Sequence, residues 1–454
     1  MKRWLAVWLL LWPGWAGAEE AARFGLLRLD DVYASPPRQG SLSDSLKRWP
    51  LPLPDSHASL GGEIRLRYDY RRNEEWGDVP QDEAGAFLQR YLLHANLELG
   101  RWLRLFGELR SALEDGRSAP PSPVEEGRVD LQQAVVELRF GEGDRRAFLR
   151  AGRQEVALGS QRLVAVREGP NVRRRFDGLR AELRSGRFSV TGLAAYLTEN
   201  EPGDFSDGVD EDVVLWGVYS VLHRPLAIPS SFDLYYLGYR ARDARFVQGT
   251  ARELRHSVGL RVHGRHEAWD WNGEAVFQWG RFGGADILAW TVASETGLRF
   301  DSLPLAPRIA LSANVASGDD DPEDDRLGTF NALFPRGNYF SHLALLGPRN
   351  FANLHPSLTL RLSQTLSFTL DANFYWRLEA NDGLYGPSGN LLRAGTNTNS
   401  HYVGPAISGS IDWTLSRYLF VGLIYTHGFA GPFIEDTGRS RDIDFVELTL
   451  QLRF

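Results

Sequence analysis

The chain has 454 residues, with 51 Lys and Arg against 58 Asp and Glu, which gives a formal net charge of −7. It contains no cysteine, which excludes disulfides and thiolate metal sites as sources of stability. Beyond the first twenty residues, no apolar run approaches the roughly 18–20 residues of a transmembrane helix, and the mean hydropathy is −0.31.

The first twenty residues have the pattern of a secretory signal peptide. A basic start at residues 2–3 precedes an apolar run at residues 4–12 and a small-residue cleavage site (AGA) at residues 16–18. We therefore predict that residues 1–18 are a signal peptide that is removed. Residues 19–59 are rich in proline and show no clear period, so we interpret them as a periplasmic N-terminal extension.

From residue 60 onwards, apolar and polar residues alternate with a period of two, which predicts half-buried β-strands. The alternation recurs in eighteen segments, an even number, as single-chain bacterial outer-membrane barrels require. The predicted strands are 60–70, 93–99, 103–113, 129–140, 147–152, 177–184, 188–197, 213–222, 232–242, 254–264, 267–279, 287–300, 308–316, 354–362, 366–377, 403–414, 417–427 and 443–454.

The last strand favours a closed barrel in a membrane. One of its faces is apolar, and the alternation continues to Phe454 at the carboxyl terminus. Such a strand cannot remain an exposed apolar edge, so it is expected to pair with the first strand and to turn its apolar face to lipid. A final strand that ends in Phe also resembles the assembly signal of bacterial outer-membrane barrels. The alternative is an edge strand of a soluble β-sandwich.

The connections between predicted strands alternate in length, which is typical of long extracellular loops and short periplasmic turns. The mostly long connections are 72–86, 114–128, 153–176, 198–212, 243–253, 280–286, 317–353, 378–402 and 428–442. The short connections are 100–101, 141–146, 185–186, 265–266, 301–307, 363–365 and 415–416, and 223–231 is intermediate. The sequence therefore predicts an all-β fold, a transmembrane antiparallel barrel of about eighteen strands at residues 60–454.

Three groups of motifs carry a family resemblance. The first comprises residues 152–159 (GRQEVALG), 162–163 (RL) and 170–178 (PNVRRRFDG). The second comprises residues 317–325 (SGDDDPEDD), 328–331 (GTFN), 333–335 (LFP) and 339–340 (YF), and the third residues 376–377 (WR) and 382–385 (DGLY). Together with the strands, they make residues 60–454 resemble the alginate export family of outer-membrane proteins. The resemblance implies a channel that passes an anionic exopolysaccharide out of the periplasm through an arginine-lined constriction.

An excess of arginine marks the long connection around residue 165. Between Arg145 and Arg187 there are twelve arginines and only four acids. A basic loop inside a pore would attract uronate carboxylates, because arginine stays charged and offers a planar fork to a carboxylate. The alternative is a solvated loop that binds lipopolysaccharide phosphates outside. We predict that Asp177 holds an arginine in place, and that the substrate path is lined by Arg150, Arg153, Arg162, Arg173, Arg174, Arg175 and Arg180.

Two outer loops, at residues 199–212 and 319–325, are strongly acidic. Their carboxylates could bind calcium, with Asp319, Asp321 and Asp325 as candidate ligands, although neither loop has EF-hand spacing. No other cofactor is expected. No catalytic pair is predicted either, because a seven-residue gap of opposite parity places His401 and Ser408 on different strand faces.

These observations predict a non-enzymatic channel in the bacterial outer membrane. Its substrate would be an anionic polysaccharide such as alginate or a related uronate polymer, which passes a basic constriction. The alternative on the same barrel is a general or anion-selective porin for small solutes. Expected partners are outer-membrane lipid and lipopolysaccharide, the anionic polysaccharide and periplasmic secretion-complex proteins, and no nucleic acid is expected.

Overall fold

The computed structural model describes residues 24–31, 46–82, 84–118, 120–225, 229–337, 340–395 and 398–454. The predicted signal peptide at residues 1–18 lies outside this part of the chain. Among the described residues, helical structure is limited to α1 (Pro432–Thr437) and two 3-10 turns, Arg28–Asp30 and Glu74–Gly77. None of the helices described is long and apolar enough to cross a membrane.

The described residues contain twenty-two β-strands of very different length. They are β1 (Trp49–Pro50), β2 (His57–Arg72), β3 (Ala86–Leu99), β4 (Leu103–Asp115), β5 (Gly127–Glu142), β6 (Arg145–Gln154), β7 (Phe176–Ser185), β8 (Phe188–Thr198), β9 (Val209–His223), β10 (Ser230–Phe246), β11 (Gly249–His266), β12 (Trp269–Phe282), β13 (Ala285–Arg299), β14 (Arg308–Ala316), β15 (Arg326–Leu327), β16 (Phe351–Arg361), β17 (Leu366–Trp376), β18 (Leu384–Tyr385), β19 (Leu391–Arg393), β20 (Tyr402–Thr414), β21 (Leu419–Gly428) and β22 (Ile443–Arg453).

Eighteen of these strands form one closed antiparallel ring. Each strand from β2 to β14 pairs with the next, and the ring continues through β16, β17, β20, β21 and β22. β22 then pairs with β2, in a register that places Glu63 opposite Arg453 and Tyr70 opposite Val446. The prediction of an eighteen-stranded barrel closed by its last strand is therefore confirmed.

The period of two separates an outer apolar face from an inner polar face. On β3, Leu93 is 53% exposed on the outside, whereas Arg90 is fully buried inside the barrel. On β22, Leu448 is 49% exposed and its neighbour Thr449 is buried. The exposed apolar side chains therefore form the surface that meets lipid, and the charges of the strands point inward.

The connections sort by side, with two departures from prediction. β10 continues to Phe246 and β11 begins at Gly249, so the expected loop 243–253 is a two-residue turn. The expected loop 280–286 is likewise reduced to Gly283-Gly284 between β12 and β13. Gly283 has φ +56, and a Gly-Gly pair between alternating segments is a hairpin signal that predicts this tight turn. The other outer connections are long.

Several outer loops fold into the barrel and form an apolar cluster there. Val156, Phe334 and Phe433 come from three different outer connections, and they belong to one buried cluster with the wall residues Tyr219 and Tyr235. The hydrophobic core therefore lies inside the barrel, beneath the outer mouth, and the lumen is not an open cylinder.

Candidate selectivity site in the barrel lumen

The long connection between β6 and β7 folds into the barrel, and we call residues 155–175 the inner loop. Ser160 donates a hydrogen bond to Glu274 on β12. Arg162 Nη1 donates to Asn314 Oδ1 on β14 at 2.8 Å. The first half of the inner loop is thus held by the inner face of the β12–β14 wall.

The second half of the inner loop lies against β2 and β3, which stand across the ring from β12. Arg65 on β2 donates through Nη1 to the Glu168 carbonyl oxygen at 2.8 Å and through Nη2 to the Pro170 carbonyl oxygen at 3.0 Å. Asn171 Nδ2 donates to the Gln89 carbonyl oxygen on β3 at 2.9 Å. The inner loop therefore crosses the lumen, and this position does not fit an external loop that binds lipopolysaccharide phosphates.

A second outer connection, residues 317–350, packs directly on the inner loop. The Ala165 amide donates to the Phe334 carbonyl oxygen at 2.9 Å, and the Phe334 amide donates to the Leu163 carbonyl oxygen at 2.9 Å. The Phe176 ring meets the Phe334 ring edge-on, with centroids 5.1 Å apart. The two connections together narrow the passage through the barrel.

Arg173, one of the predicted path residues, is a buried structural cation. Its Nη2 lies 3.0 Å from Glu155 Oε2 and its Nε lies 3.1 Å from Glu168 Oε2, so it joins both ends of the inner loop. Burial by itself raises the pKa of Glu168, but Arg173 and Arg90 outweigh this effect and lower the pKa to about 2. Glu168 therefore stays charged, and its pairing with Arg173 persists across the physiological pH range.

Arg175 is also buried, and its partner comes from the acidic outer loop at residues 199–212. Asp207 of that loop accepts hydrogen bonds from Arg175 and, at 2.8 Å, from Arg110 on β4. The side chains of Arg175, Arg110 and Asp207 are at most 1% exposed. The most basic and one of the most acidic stretches of the sequence thus neutralise each other, a pairing that no local sequence pattern indicates.

The remaining predicted residues on strands β6 and β7 are held in ion pairs as well. Arg150 pairs with Glu137 at 2.5 Å, and Arg180 pairs with Glu182 at 3.3 Å. Asp177 lies 3.0 Å from Arg153, so its carboxylate fixes an arginine on the neighbouring strand. Glu182 and Asp177 belong to the same basic stretch, whereas Glu137 lies outside it, so acids from elsewhere in the sequence compensate only part of the local arginine excess.

Two inner-loop arginines differ, because no carboxylate lies within ion-pair distance of them in the described part of the chain. Arg167 donates to the Val172 carbonyl oxygen at 3.3 Å, and Arg174 donates to the Pro335 carbonyl oxygen at 3.4 Å. The Arg174 guanidinium lies 5.2 Å from the Phe334 ring centroid. Burial, and next the charge of Arg167, lower the pKa of Arg174. Burial and Arg167 thus disfavour the charged form of Arg174, and an anion beside these two side chains would favour it again.

The candidate calcium ligands do not gather around one point. Asp319 turns inward and accepts from the Gly328 amide at 3.2 Å, while Asp321 accepts from the Glu323 amide at 3.1 Å. In the residues that the structure describes, no group of three or more His, Cys, Asp or Glu side chains is arranged to hold a metal ion. The geometry therefore gives the calcium hypothesis no support.

His401 and Ser408 have separate partners. His401 Nδ1 lies 3.0 Å from the Arg377 carbonyl oxygen, whereas Ser408 accepts a hydrogen bond from Thr426 at 3.0 Å. Neither contact provides the nucleophile and base pair that a hydrolase needs.

A closed ring of eighteen antiparallel strands, apolar outside and charged inside, with loops folded into its lumen, is the architecture of an outer-membrane channel. The chain belongs to the alginate export family, whose profile matches residues 56–446. It is therefore a protein of the bacterial outer membrane. Proteins of this family and fold are channels and porins, which are not enzymes.

Solved structures with the same fold include two from Pseudomonas aeruginosa, OccK2 and OpdK. OccK2 (OpdF) in complex with glucuronate has a TM-score of 0.58 at 12% identity, covering 88% of this chain and 98% of that one. OpdK with vanillate has a TM-score of 0.58 at 11% identity, covering 88% and 99%. A variant of OccD1 (OprD) has a TM-score of 0.56 at 14% identity, covering 90% and 98%. None of the curated proteins matches the chain.

Proposed function

We propose that this outer-membrane channel passes an anionic saccharide that carries uronate carboxylates, and that the inner loop forms its selective constriction. The observation that carries the proposal is the pair Arg167 and Arg174, two arginines on a loop that crosses the lumen. Their hydrogen-bond partners are carbonyl oxygens. A carboxylate is a stronger acceptor than a carbonyl oxygen for a guanidinium donor, so a passing uronate is favoured at this point.

The inner loop also carries a net positive charge through its own composition. It contains five arginines and two glutamates, in a chain that is negative overall. A narrow passage with low-dielectric walls focuses such a field and raises the local concentration of anions. The proposal agrees with the glucuronate found in the OccK2 (OpdF) structure, since glucuronate is a monomeric uronate.

A porin for small anions is the second candidate, and one contact favours it. The hydrogen bonds between Phe334 and the inner loop close part of the lumen. A polymer needs this contact to open, whereas a small carboxylate needs only the space beside it. In either case the proposed ligand is a carboxylate. Periplasmic secretion-complex partners stay a prediction.

Planar-bilayer recordings with graded oligogalacturonates test the proposal. Oligogalacturonates should block the current more strongly than neutral maltooligosaccharides of equal length, and Arg174→Gln together with Arg167→Gln should remove the difference and reduce anion selectivity. Arg101→Gln is the matched control, because Arg101 is 74% exposed in a turn and pairs with Glu142. Equal block by charged and neutral sugars would refute the substrate class. Block by monomers but not by longer oligomers would favour the small-solute porin.

A further inference from the structure

Part of the predicted periplasmic extension lies inside the barrel. We call residues 24–31 the plug segment. Its Leu29 is 3% exposed and packs with Phe106 on β4 and Val135 on β5, both of which point into the lumen. The Phe24 ring lies 6.1 Å from the Tyr418 ring, in the short turn between β20 and β21. The plug segment therefore enters from the side of the short turns, opposite the outer loops.

The plug segment is held by charges of the inner wall. Arg28 forms an ion pair with Glu63 on β2, and both side chains are at most 1% exposed. The backbone of the segment meets two wall and loop arginines: Arg104 Nη1 donates to the Leu29 carbonyl oxygen at 2.7 Å, and Arg173 Nη2 donates to the Leu26 carbonyl oxygen at 2.6 Å. Backbone carbonyl oxygens of the plug segment thus accept hydrogen bonds from guanidinium groups. A carboxylate would accept from a guanidinium group more strongly.

The same contacts connect the plug segment to the inner loop. Arg173 binds the segment and also joins Glu155 to Glu168. Glu63 binds Arg28 of the segment and, at 2.6 Å, Arg90, which in turn pairs with Glu168 at 2.5 Å. One continuous charge network therefore includes the plug segment and the loop that narrows the lumen. Withdrawal of the plug segment therefore changes the surroundings of Arg173 and of the inner loop.

We propose that residues 24–31 are an autoinhibitory plug whose Leu29 carbonyl oxygen occupies the place at the Arg104 guanidinium that takes a substrate carboxylate. The carboxylate part of this inference rests on the proposed function. The segment has one arginine and two aspartates, so it carries an excess of acid, as an anionic ligand would. Arg104 has no carboxylate within ion-pair distance among the described residues, so it is the donor that withdrawal of the plug exposes.

The first test measures the effect of the plug segment on ion conductance, with no sugar present. Replacement of residues 24–31 by glycine and serine keeps the chain length and removes Arg28 and Leu29. Conductance in KCl should rise by about twofold or more, because the lumen cross-section then limits the current less. Arg101→Ala, which removes an exposed arginine on the same side, should leave conductance unchanged. An unchanged conductance in the replaced protein, with heat-modifiable migration that shows a folded barrel, would overturn the plug.

The second test addresses the guanidinium site. In the plug-replaced protein, Arg104→Gln should weaken oligogalacturonate block by about tenfold or more, which is the effect expected for one lost hydrogen bond to a charged group. A raised KCl conductance, together with equal block by oligogalacturonate and neutral sugar, would support the plug and refute the carboxylate site.

A cysteine pair gives an independent check of position, because the natural chain has no cysteine. Leu29→Cys with Phe106→Cys should form a reducible cross-link, and the cross-linked channel should keep the low conductance of the parent. Failure to cross-link would contradict the place of the plug segment in the lumen.

Discussion

Replacement of Asp207 by Asn tests whether the acidic outer loop holds the inner loop in place. Asp207 Oδ2 accepts from Arg110 at 2.8 Å and from Arg175, and its Oδ1 accepts from the Glu201 amide at 2.8 Å. Asn keeps the shape of the side chain and removes its charge. Two buried guanidinium groups would then share no carboxylate at this position.

The expected loss of stability in Asp207→Asn follows from the burial of the ion pairs that Asp207 forms. Removing one partner of a buried ion pair destabilises a protein by about 3–5 kcal/mol, because the remaining charge stays desolvated. Asp130 lies near Arg175 and compensates in part, so we expect Asp207→Asn to lower the free energy of unfolding by about 3 kcal/mol, at the lower end of this range. Urea unfolding in lipid vesicles, followed by tryptophan fluorescence, measures the difference.

Asp212→Asn is the matched control from the same part of the chain. Asp212 pairs with Arg242 at 2.8 Å, but the two side chains are 38% and 70% exposed. An exposed pair contributes at most about 1 kcal/mol. Adding Arg110→Met to Asp207→Asn should recover part of the loss, because it removes one of the unpaired charges. Equal losses for the two Asn variants would refute the structural role of Asp207.

Three further predictions concern other parts of the molecule. Burial and neighbouring carboxylates raise the pKa of Asp319 to about 6. The stability that this shift contributes to the loop around Asp319 is complete below the unfolded pKa of about 4 and is lost as the pH rises through 6. Hydrogen exchange corrected for intrinsic rates should show this, and an unchanged profile in Asp319→Asn would contradict it. Gly152 has φ +119 and a Cβ there would lie 2.1 Å from the Ala134 carbonyl oxygen, so Gly152→Ala should lower the free energy of unfolding by about 2 kcal/mol or more; Gly107→Ala, with open space around it, should stay within about 0.5 kcal/mol. Deletion of Phe454 removes two backbone hydrogen bonds to β2 and should reduce the heat-modifiable folded fraction; an unchanged fraction would exclude a role of the terminal residue in closure.

Strand number, strand order and the lipid-facing surface follow from the sequence alone. The reason is local: successive side chains of a strand point to opposite faces, so Leu448 faces lipid and Thr449 faces the lumen whatever the rest of the chain does. Closure also follows, because a long strand with an apolar face cannot remain an unpaired edge. The sequence determines the ends of the strands less well. In β10 and β11, polar residues continue the hydrogen-bonded ladder above the membrane, so the expected loop 243–253 is reduced to a turn.

The pairing of the charges was decided only by the tertiary structure. Counted locally, the stretch from Arg145 to Arg187 is strongly basic, yet Arg175 is neutralised by Asp207 and Arg173 by the two glutamates of the inner loop. The entry of the N-terminal segment into the lumen has no sequence signal either. Sequence period fixes the direction of a strand side chain, but a loop side chain finds its partner only after the loops have packed, because a Coulomb interaction depends on distance in space and not on separation along the chain.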